Sequence, residues 1–497
     1  MIALSLLACA PQIEVGPIPA EQALRPARLL TSGAQPGPNV YLAAIVAAGS
    51  AYDPVGREGL AHLVARSLID AGAGERSSPE VRAALFPTGA TLRVVVEREW
   101  ISLRMTCHQD HGLLCVELFT DALARPRLDP GDWFRLRDDA LHSLRDELQD
   151  DTEALGLEAL EAALHEGHPY GHPVAGRAGV LPTLRPEEGL AFHARHYVRE
   201  SVVAGLAGAW TPELREALEQ GLAALPTGSA PELPLMAPPA PRQRSLIAID
   251  TDTDTTGFHL GHPLDVDRNH PDYAALHLAT LALGAHRQSF GRLFRALRGE
   301  RGLNYGDYAY IEPWPERGGG PAPEQAVLRR DNRFVVWIRP TSLENGPFAL
   351  KLALDEIESW VADGLGEDEL RSVRSWAIGG LPLLAPDPGT RLLYALEAEA
   401  SQTPDLLETL PRDLAALTLE EVNAAIARHI HPDRLQIVAV SGEAEALRGR
   451  LAEPRPTPWR PDDPLLDVHD EPRDEAIAAR QLEIEPSWLL DAEGLFR

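Results

Sequence analysis

Residues 47–54 read Ala47-Ala48-Gly49-Ser50-Ala51-Tyr52-Asp53-Pro54, and residues 59–66 read Gly59-Leu60-Ala61-His62-Leu63-Val64-Ala65-Arg66. The second segment is typical of an apolar helix, and it carries one histidine, His62. A single histidine in such a helix is most often a structural residue. The segment therefore gains functional meaning only from the residues around it.

His62 begins a pattern that differs at two positions from the zinc-binding motif H-x-x-E-H. In that motif two histidines one helical turn apart bind the metal, and the glutamate is the general base. Ala65 stands at the base position and cannot accept a proton. Arg66 stands at the second ligand position and has no lone pair to donate. None of the 17 histidines begins an intact H-x-x-E-H or H-E-x-x-H motif. We therefore expect no catalytic residue at this helix.

Three segments, in this order and spacing, resemble the insulinase (pitrilysin) family of zinc metallopeptidases over roughly residues 25–450. Residues 47–66 resemble the family's strand, loop and zinc helix. Residues 167–171 read Gly-His-Pro-Tyr-Gly, with Gly176 after them, and are similar to a family loop of the same sequence. Residues 289–305 resemble the signature L-R-x-x-x-G-L-x-Y of the family's second half.

The resemblance implies an α+β fold of two homologous halves that form a clam-shell chamber. Each half is expected to be a mostly antiparallel sheet with helices packed on one face. An internal repeat agrees, because Ala194-Arg195-His196 recurs 233 residues later as Ala427-Arg428-His429, each time in a helix before a strand. The predicted domains are an N-terminal signal segment (1–22), a first half (23–225), a proline-rich linker (226–244), a second half (245–452) and an acidic, proline-rich tail (453–497).

Hydrophobic patterning within the halves predicts individual elements. The predicted strands cover 92–105, 202–206, 333–339 and 435–440, and the predicted helices cover 133–148, 155–164, 273–283 and 348–362. The end of the tail, 484–496, has enough apolar residues to dock onto the body.

In the resembled family a glutamate on a later helix completes the zinc site, and Glu147 is the matching position here. The family's further acidic residue, seven positions earlier, is replaced by Ala140. A catalytic zinc needs about three protein ligands, so His62 and Glu147 alone are too few. Other histidines that could substitute, or that could serve local structure instead, are His108, His111, His165, His168 and His172. We expect no cofactor, and zinc only if a rearranged site exists.

The resemblance assigns substrate binding to Arg298 and Tyr305 in the second half. In the family this pair projects into the chamber and binds the substrate backbone near the scissile bond. Arginine offers several fixed N–H donors, and a tyrosine hydroxyl can bond a carbonyl or a developing oxyanion. The alternative is a surface arginine and a core tyrosine that share this spacing by chance.

These observations predict a non-catalytic subunit that pairs with an active zinc-peptidase paralogue and helps to bind peptide substrates. One alternative is an active zinc metalloendopeptidase that uses a rearranged site around His62 and Glu147. A second alternative is a lipid-anchored scaffold of the cell envelope that binds peptides without cutting them. Metal content, and peptidase assays with and without the paralogue, distinguish the three hypotheses.

Composition and the N-terminus bear on location and partners. The net charge of −28 would repel the phosphates of a nucleic acid, so we expect no such partner. Leu6-Leu7-Ala8-Cys9 resembles a bacterial lipoprotein cleavage box. This implies a lipid on Cys9 and a place on the periplasmic side of the envelope, anchored to the outer membrane. Cys107 and Cys115 could pair in such an oxidising compartment, or remain buried thiols.

Overall fold

The structure, a computed structural model, describes residues 28–31, 37–229, 231–233, 237, 243–312, 320–325, 327–384, 386–460 and 471–492. It has the predicted α+β architecture, with two halves that are each built on one sheet. The predicted signal segment, including Cys9, lies outside the described residues. No helix within the described ranges combines the length and apolar character needed to cross a membrane.

Among its described residues, the first half contains seven strands and seven α-helices. Its strands are β1 (Arg28–Thr31), β2 (Asn39–Val46), β3 (Gly72–Ala73), β4 (Thr91–Val96), β5 (Ile101–His108), β6 (Pro126–Arg127) and β7 (Val202–Gly208). Its helices are α1 (Leu60–Asp70), α2 (Ser78–Leu85), α3 (Gly112–Ala124), α4 (Pro130–Asp150), α5 (Thr152–Leu164), α6 (Pro186–His196) and α7 (Pro212–Leu222). The main sheet has the order β1-β7-β2-β5-β4, and only β1 and β7 pair in parallel.

The second half contains six strands and eight helices among the described residues. Its strands are β8 (Ser245–Asp250), β9 (Thr255–Leu264), β10 (Asp307–Tyr310), β11 (Asn332–Ser342), β12 (Gln436–Ser441) and β13 (Ser487–Asp491). Its helices are α8 (Tyr273–Gly284), α9 (Gly346–Asp363), α10 (Glu367–Gly380), α11 (Pro388–Ser401), α12 (Leu406–Ala416), α13 (Leu419–His429), α14 (Ala444–Ala452) and α15 (Glu471–Ala479). The sheet order is β10-β11-β9-β12-β8-β13.

The two sheets repeat one topology, which gives the internal sequence repeat a structural counterpart. The order β1-β7-β2-β5-β4 corresponds to β8-β12-β9-β11-β10, and β8 pairs with β12 in parallel as β1 does with β7. The repeated Ala-Arg-His segments end α6 and α13, and each helix precedes the strand that lies next to the sheet centre. Of the strands in the described part of the second sheet, β13 alone has no described counterpart in the first sheet.

Each sheet receives one helix from the opposite half, a feature that the sequence did not predict. Helix α5 packs on β9 and β12 of the second sheet, where Leu155 and Leu160 belong to the same apolar cluster as Val438. Helix α11 packs on β2 and β7 of the first sheet, where Leu392 and Leu396 join a matching cluster. The halves therefore share two apolar cores in addition to their own.

The single strand predicted over 92–105 is wrong, because the chain turns back between β4 and β5. No glycine or proline marks this turn. Instead, the backbone carbonyls of residues 97–99 accept hydrogen bonds of 2.7–3.0 Å from the N–H groups of residues 49–51. The turn is thus held by a distant segment, which local patterning cannot reveal.

The described part of the tail packs on the second half. Ile477 and Ala478 of α15 belong to the core of that half, and the Lys351 ammonium donates a 2.9 Å hydrogen bond to the Ala478 carbonyl. Strand β13 continues the sheet in parallel beside β8. The predicted boundary segment 226–244 is only partly described, so the domain limits stay a prediction.

Candidate functional site

The start of α1 and the turn that follows the Gly-His-Pro-Tyr-Gly segment meet at two glycines, Gly59 and Gly176. A Cβ on Gly59 would lie 2.9 Å from the Ala175 carbonyl, and one on Gly176 would lie 2.5 Å from the Glu58 carbonyl. Both glycines have φ of +104°, which side chains rarely tolerate. The Asp53 carboxylate then caps the helix, accepting hydrogen bonds of 2.7 Å from the N–H groups of Gly59 and Ala61. Two segments that the sequence singled out separately therefore form one structural unit.

His62 is neutral in this setting. Burial, followed by the nearby Arg66 charge, lowers the pKa of His62 to about 4. Its Nδ1 atom is buried and has no hydrogen-bond partner among the described residues. An imidazole with an unused lone pair could accept a metal ion, so the neighbouring residues decide whether the site fits one.

Those neighbours do not fit zinc. Ala65 is fully buried and offers no ligand or base. Arg66 forms an ion pair with Asp70 one turn further along α1, so a positive charge occupies the second ligand position. Glu147 lies on α4, which packs against α1, but its side chain is outside the described residues. The described residues at the motif supply one ligand, where catalytic zinc needs about three.

A cavity of about 970 Å³ lies between the halves, and both His62 and Arg66 line it. The second half contributes Arg329, Arg333 and Tyr394 to its wall. The predicted chamber between two halves thus has a counterpart in the structure, and the altered motif faces it.

The wall of this cavity contains a buried ionic cluster that sequence patterning missed. The Glu161 carboxylate of α5 lies 3.2–3.3 Å from Arg329 Nη1, and it also pairs with Arg333 of β11. Burial alone would raise the pKa of Glu161, but Arg333 and Arg329 outweigh it and hold the pKa well below its usual value. The sequence signal that could have revealed this cluster is Glu161 itself, a charged residue in the otherwise apolar run 159–164.

The Gly-His-Pro-Tyr-Gly segment also reaches the opposite half, beyond the local role expected for its histidine. His168 Nε2 lies 3.2 Å from an Asp331 carboxylate oxygen. The Tyr170 hydroxyl donates a hydrogen bond to Glu99, and the same carboxylate accepts bonds of 2.8 and 3.0 Å from Arg330. The segment therefore joins the two halves.

Arg298 and Tyr305, the residues predicted to bind substrate, lie in contact with each other. Arg298 is on a π-helical turn, Phe294–Gly299, a feature common at functional sites. Its Nη1 donates a 2.7 Å hydrogen bond to the Tyr305 carbonyl, and its guanidinium lies 4.8 Å from the centre of the Tyr305 ring. Tyr305 is 72% exposed.

Tyr305 faces a different space from His62. It lines a cleft of about 780 Å³ with Arg339 and the acidic residues at the junction of α4 and α5, including Asp146 and Asp150. Leu144 and Leu148 of the same helix line the cavity that holds His62. The end of α4 thus lies between the two spaces, and the structure does not bring the predicted pair and the altered motif together.

Cys107 and Cys115 form a disulfide between the end of β5 and the start of α3. Both residues are buried. Of the two possibilities left open by the sequence, the structure has the paired one.

Comparison with known proteins agrees with this architecture. Residues 28–178 match the family model described as Insulinase (Peptidase family M16), and residues 183–375 match that of the Peptidase M16 inactive domain. Uncharacterised zinc proteases of Mycobacterium tuberculosis and Mycobacterium bovis are 28% identical over 411 residues, which cover 79% of this chain and 86% of theirs.

Solved structures are similar over most of their length. An M16 inactive-domain peptidase from Pseudomonas fluorescens has 26% identity and a TM-score of 0.72, with 84% of this chain and 95% of that one covered. A protease from Helicobacter pylori has 12% identity and a TM-score of 0.74, covering 84% and 98%. With both halves matched in sequence and in fold, this chain belongs to the insulinase family, peptidase family M16.

Proposed function

We propose that this chain is a non-catalytic subunit that pairs with an active zinc-peptidase paralogue and helps to bind its peptide substrate. One observation carries the proposal. The base and second ligand positions of α1 hold Ala65 and Arg66, whereas Arg298 and Tyr305 remain in contact and accessible. A chain that keeps the predicted substrate-binding pair but not the zinc ligands is suited to complete an active site whose zinc is bound by the partner chain.

The position of the pair supports this reading. Arg298 and Tyr305 lie beside a cleft on the other side of α4 from His62, so they are poorly placed to assist chemistry at the altered motif. An exposed tyrosine ring stacked on a guanidinium leaves its hydroxyl edge and the free N–H groups available to an incoming chain. A peptide held by the partner's zinc half-site is the ligand that we propose.

The proposal is tested by co-expressing this chain with a paralogue from the same genome that carries an intact H-x-x-E-H motif. We expect the two to co-purify, and we expect peptidase activity of the pair to exceed that of the paralogue alone. This chain alone should have none. Separate elution, together with unchanged paralogue activity, would reject the pairing.

Replacing the substrate-binding pair should lower the activity of the assembled complex without unfolding this chain. Hydrogen bonds from a charged donor contribute about 1.5–3 kcal/mol, so Arg298→Ala should lower kcat/KM roughly ten- to hundred-fold. Arg298→Lys should rescue only part of the loss, because lysine lacks the planar fork. Tyr305→Phe should cost less than Tyr305→Ala, because it keeps the ring. Steady-state kinetics on a fluorogenic peptide measures all four.

Arg295→Ala is the matched control, because Arg295 is exposed on the same π-helical turn. Its kcat/KM should equal that of the unaltered complex. His62→Ala and Glu147→Ala should also change activity little. The reverse pattern, with activity indifferent to Arg298 and Tyr305 but abolished at His62, contradicts the proposal.

The unpaired Nδ1 of His62 favours one alternative, an active metallopeptidase with a rearranged zinc site. Relatives named as zinc proteases point the same way. The alternative requires peptidase activity of the purified chain alone, lost together with bound zinc in His62→Ala. Activity that survives removal of His62 excludes it.

We also propose a location on the periplasmic side of the bacterial envelope, with a lipid on Cys9 that attaches the chain to the outer membrane. The buried disulfide supports this, because disulfides persist in oxidising compartments. A lipid-anchored peptide-binding scaffold remains the second alternative function. Metabolic labelling with a fatty acid should mark the wild-type chain and not Cys9→Ala, and membrane fractionation should follow the label.

A further inference from the structure

Three side chains with metal-binding groups meet on the second half, away from both inter-half spaces. His270 and Asp272 directly precede α8, and His429 ends α13, which packs against α8. One ligating atom from each lies within 4.8 Å of the other two, and the described residues contain no other such group of three. His429 Nε2 is 2.7 Å from Asp272 Oδ2, and the His270 and His429 rings are perpendicular with centres 5.2 Å apart.

We propose that His270, Asp272 and His429 form a zinc-binding site. Two imidazoles and one carboxylate are a ligand set that suits Zn²⁺. In a tetrahedral site each ligand atom lies about 2.1 Å from the zinc, so neighbouring ligand atoms are about 3.4 Å apart. Side-chain movements of about one ångström would bring the three ligand atoms to these separations. All three residues are partly exposed, which leaves a fourth position for water.

Two existing interactions must give way when zinc binds. The Asp272 backbone N–H donates a 3.1 Å hydrogen bond to His270 Nδ1, and zinc would take over that lone pair. Zinc would likewise replace the proton between His429 and Asp272. The guanidinium of Arg428 contacts the same Asp272 oxygen and opposes a second cation. Arg428 is 59% exposed, so its long side chain can turn into solvent.

The first half shows that the cluster is not a by-product of the repeat. His196 occupies the position equivalent to His429, but its ring stacks on Phe192 with centres 4.2 Å apart. Burial lowers the pKa of His196 to about 4, and within the described residues no carboxylate completes a ligand group beside it. The second half therefore differs from the first in having two imidazoles and a carboxylate close together at this position of the repeat.

The test is a calorimetric titration of the tag-free chain with ZnCl₂, together with metal analysis after dialysis. We expect one saturable zinc per chain. His270→Ala and His429→Ala should each weaken binding by more than the roughly 10- to 100-fold typical of outer-shell changes. His431→Ala, which alters a histidine outside the ligand group two positions from His429, should leave binding unchanged. Arg428→Ala should strengthen it, because a competing cation is lost.

Asp272→Asn guards against misfolding, because the amide keeps the size and the acceptor oxygen of the carboxylate while it removes the charge. It should retain the thermal unfolding curve of the zinc-free protein and lose most zinc affinity. Wild-type binding that persists in both histidine variants, or the absence of any saturable binding, overturns the proposal. An Arg428→Ala variant that binds no better than wild type argues for a plain ion pair at Asp272.

The site is independent of the proposed function, and it changes how metal analyses are interpreted. Zinc lost in His429→Ala but retained in His62→Ala belongs to this cluster and says nothing about catalysis. Zinc lost only in His62→Ala would instead revive a rearranged peptidase site. The two variants therefore separate failure of this inference from failure of the subunit hypothesis.

Discussion

Glu161→Gln should lower the free energy of unfolding by about 3–5 kcal/mol, because it removes the carboxylate that pairs directly with the buried guanidiniums of Arg329 and Arg333. Glu161 lies on α5 of the first half and both arginines belong to the second half. The substitution therefore weakens the contact between the two halves. Urea denaturation followed by fluorescence measures the difference.

The pH dependence of this loss follows from the lowered pKa of Glu161. A carboxyl whose pKa is lower in the folded than in the unfolded protein contributes stability above its unfolded pKa, near 4.5. That contribution disappears as the pH falls through the folded value. The difference between wild type and Glu161→Gln should therefore be full at pH 7 and should shrink in acid.

Glu219→Gln is the matched control for this prediction. Glu219 also carries its carboxylate on a helix and pairs with an arginine, Arg215, but this pair has i, i+4 spacing within one helix and both side chains are about half exposed. Exposed pairs contribute about 0–1 kcal/mol, so this variant should be nearly neutral. Equal losses in the two variants would show that the charge of Glu161 is not what joins the halves.

Arg268→Met should be at least as damaging, because Arg268 is buried between two carboxylates. It donates bonds of 2.9 and 2.8 Å to Glu312 and one of 2.6 Å to Glu397, and all three side chains are at most 5% exposed. Removing one partner of a buried ionic group costs about 3–5 kcal/mol, and here two carboxylates lose the cation that they share. Urea midpoints at several pH values measure the effect.

Two further results would support the explanation that Arg268 stabilises the fold by neutralising the two buried carboxylates. Without Arg268, burial raises the pKa of both carboxyls, so their charged forms oppose folding and the variant should become less stable as the pH rises. The triple variant Arg268→Met, Glu312→Gln, Glu397→Gln should recover much of the stability, since neutral groups need no cation. A triple variant as unstable as Arg268→Met would instead assign the loss to packing.

The fold could be predicted largely because its signals are local. The apolar helix around His62 and the repeated Ala-Arg-His segments define elements that the structure contains. The exchange of α5 and α11 could not be predicted in this way. Helical periodicity shows that one face of α5 is apolar, but not which sheet receives it, and the central strands of both sheets are apolar on both faces.

The candidate site was predictable only where a motif carried it. The positions of His62, Ala65, Arg66, Arg298 and Tyr305 came from resemblance, and their roles remain predictions. The ionic groups around Glu161 and Arg268 come from distant parts of the chain and share no pattern. Glu161 stands in the apolar run 159–164, where a charge is expensive to bury, so the sequence marks it as paired without naming the partner. Arg268 stands among charged and polar residues and carries no such local signal.

The exchanged helices also have a consequence for synthesis of the chain on the ribosome. The first sheet is complete at Gly208, but α11, which covers one of its faces, begins only at Pro388. At about 5–20 residues per second, the roughly 180 intervening residues take about 10 to 40 s to translate. Throughout that interval the nascent chain carries an apolar surface with no cover. Chaperone dependence should therefore be highest in mid-translation, and release from it should coincide with the emergence of α11.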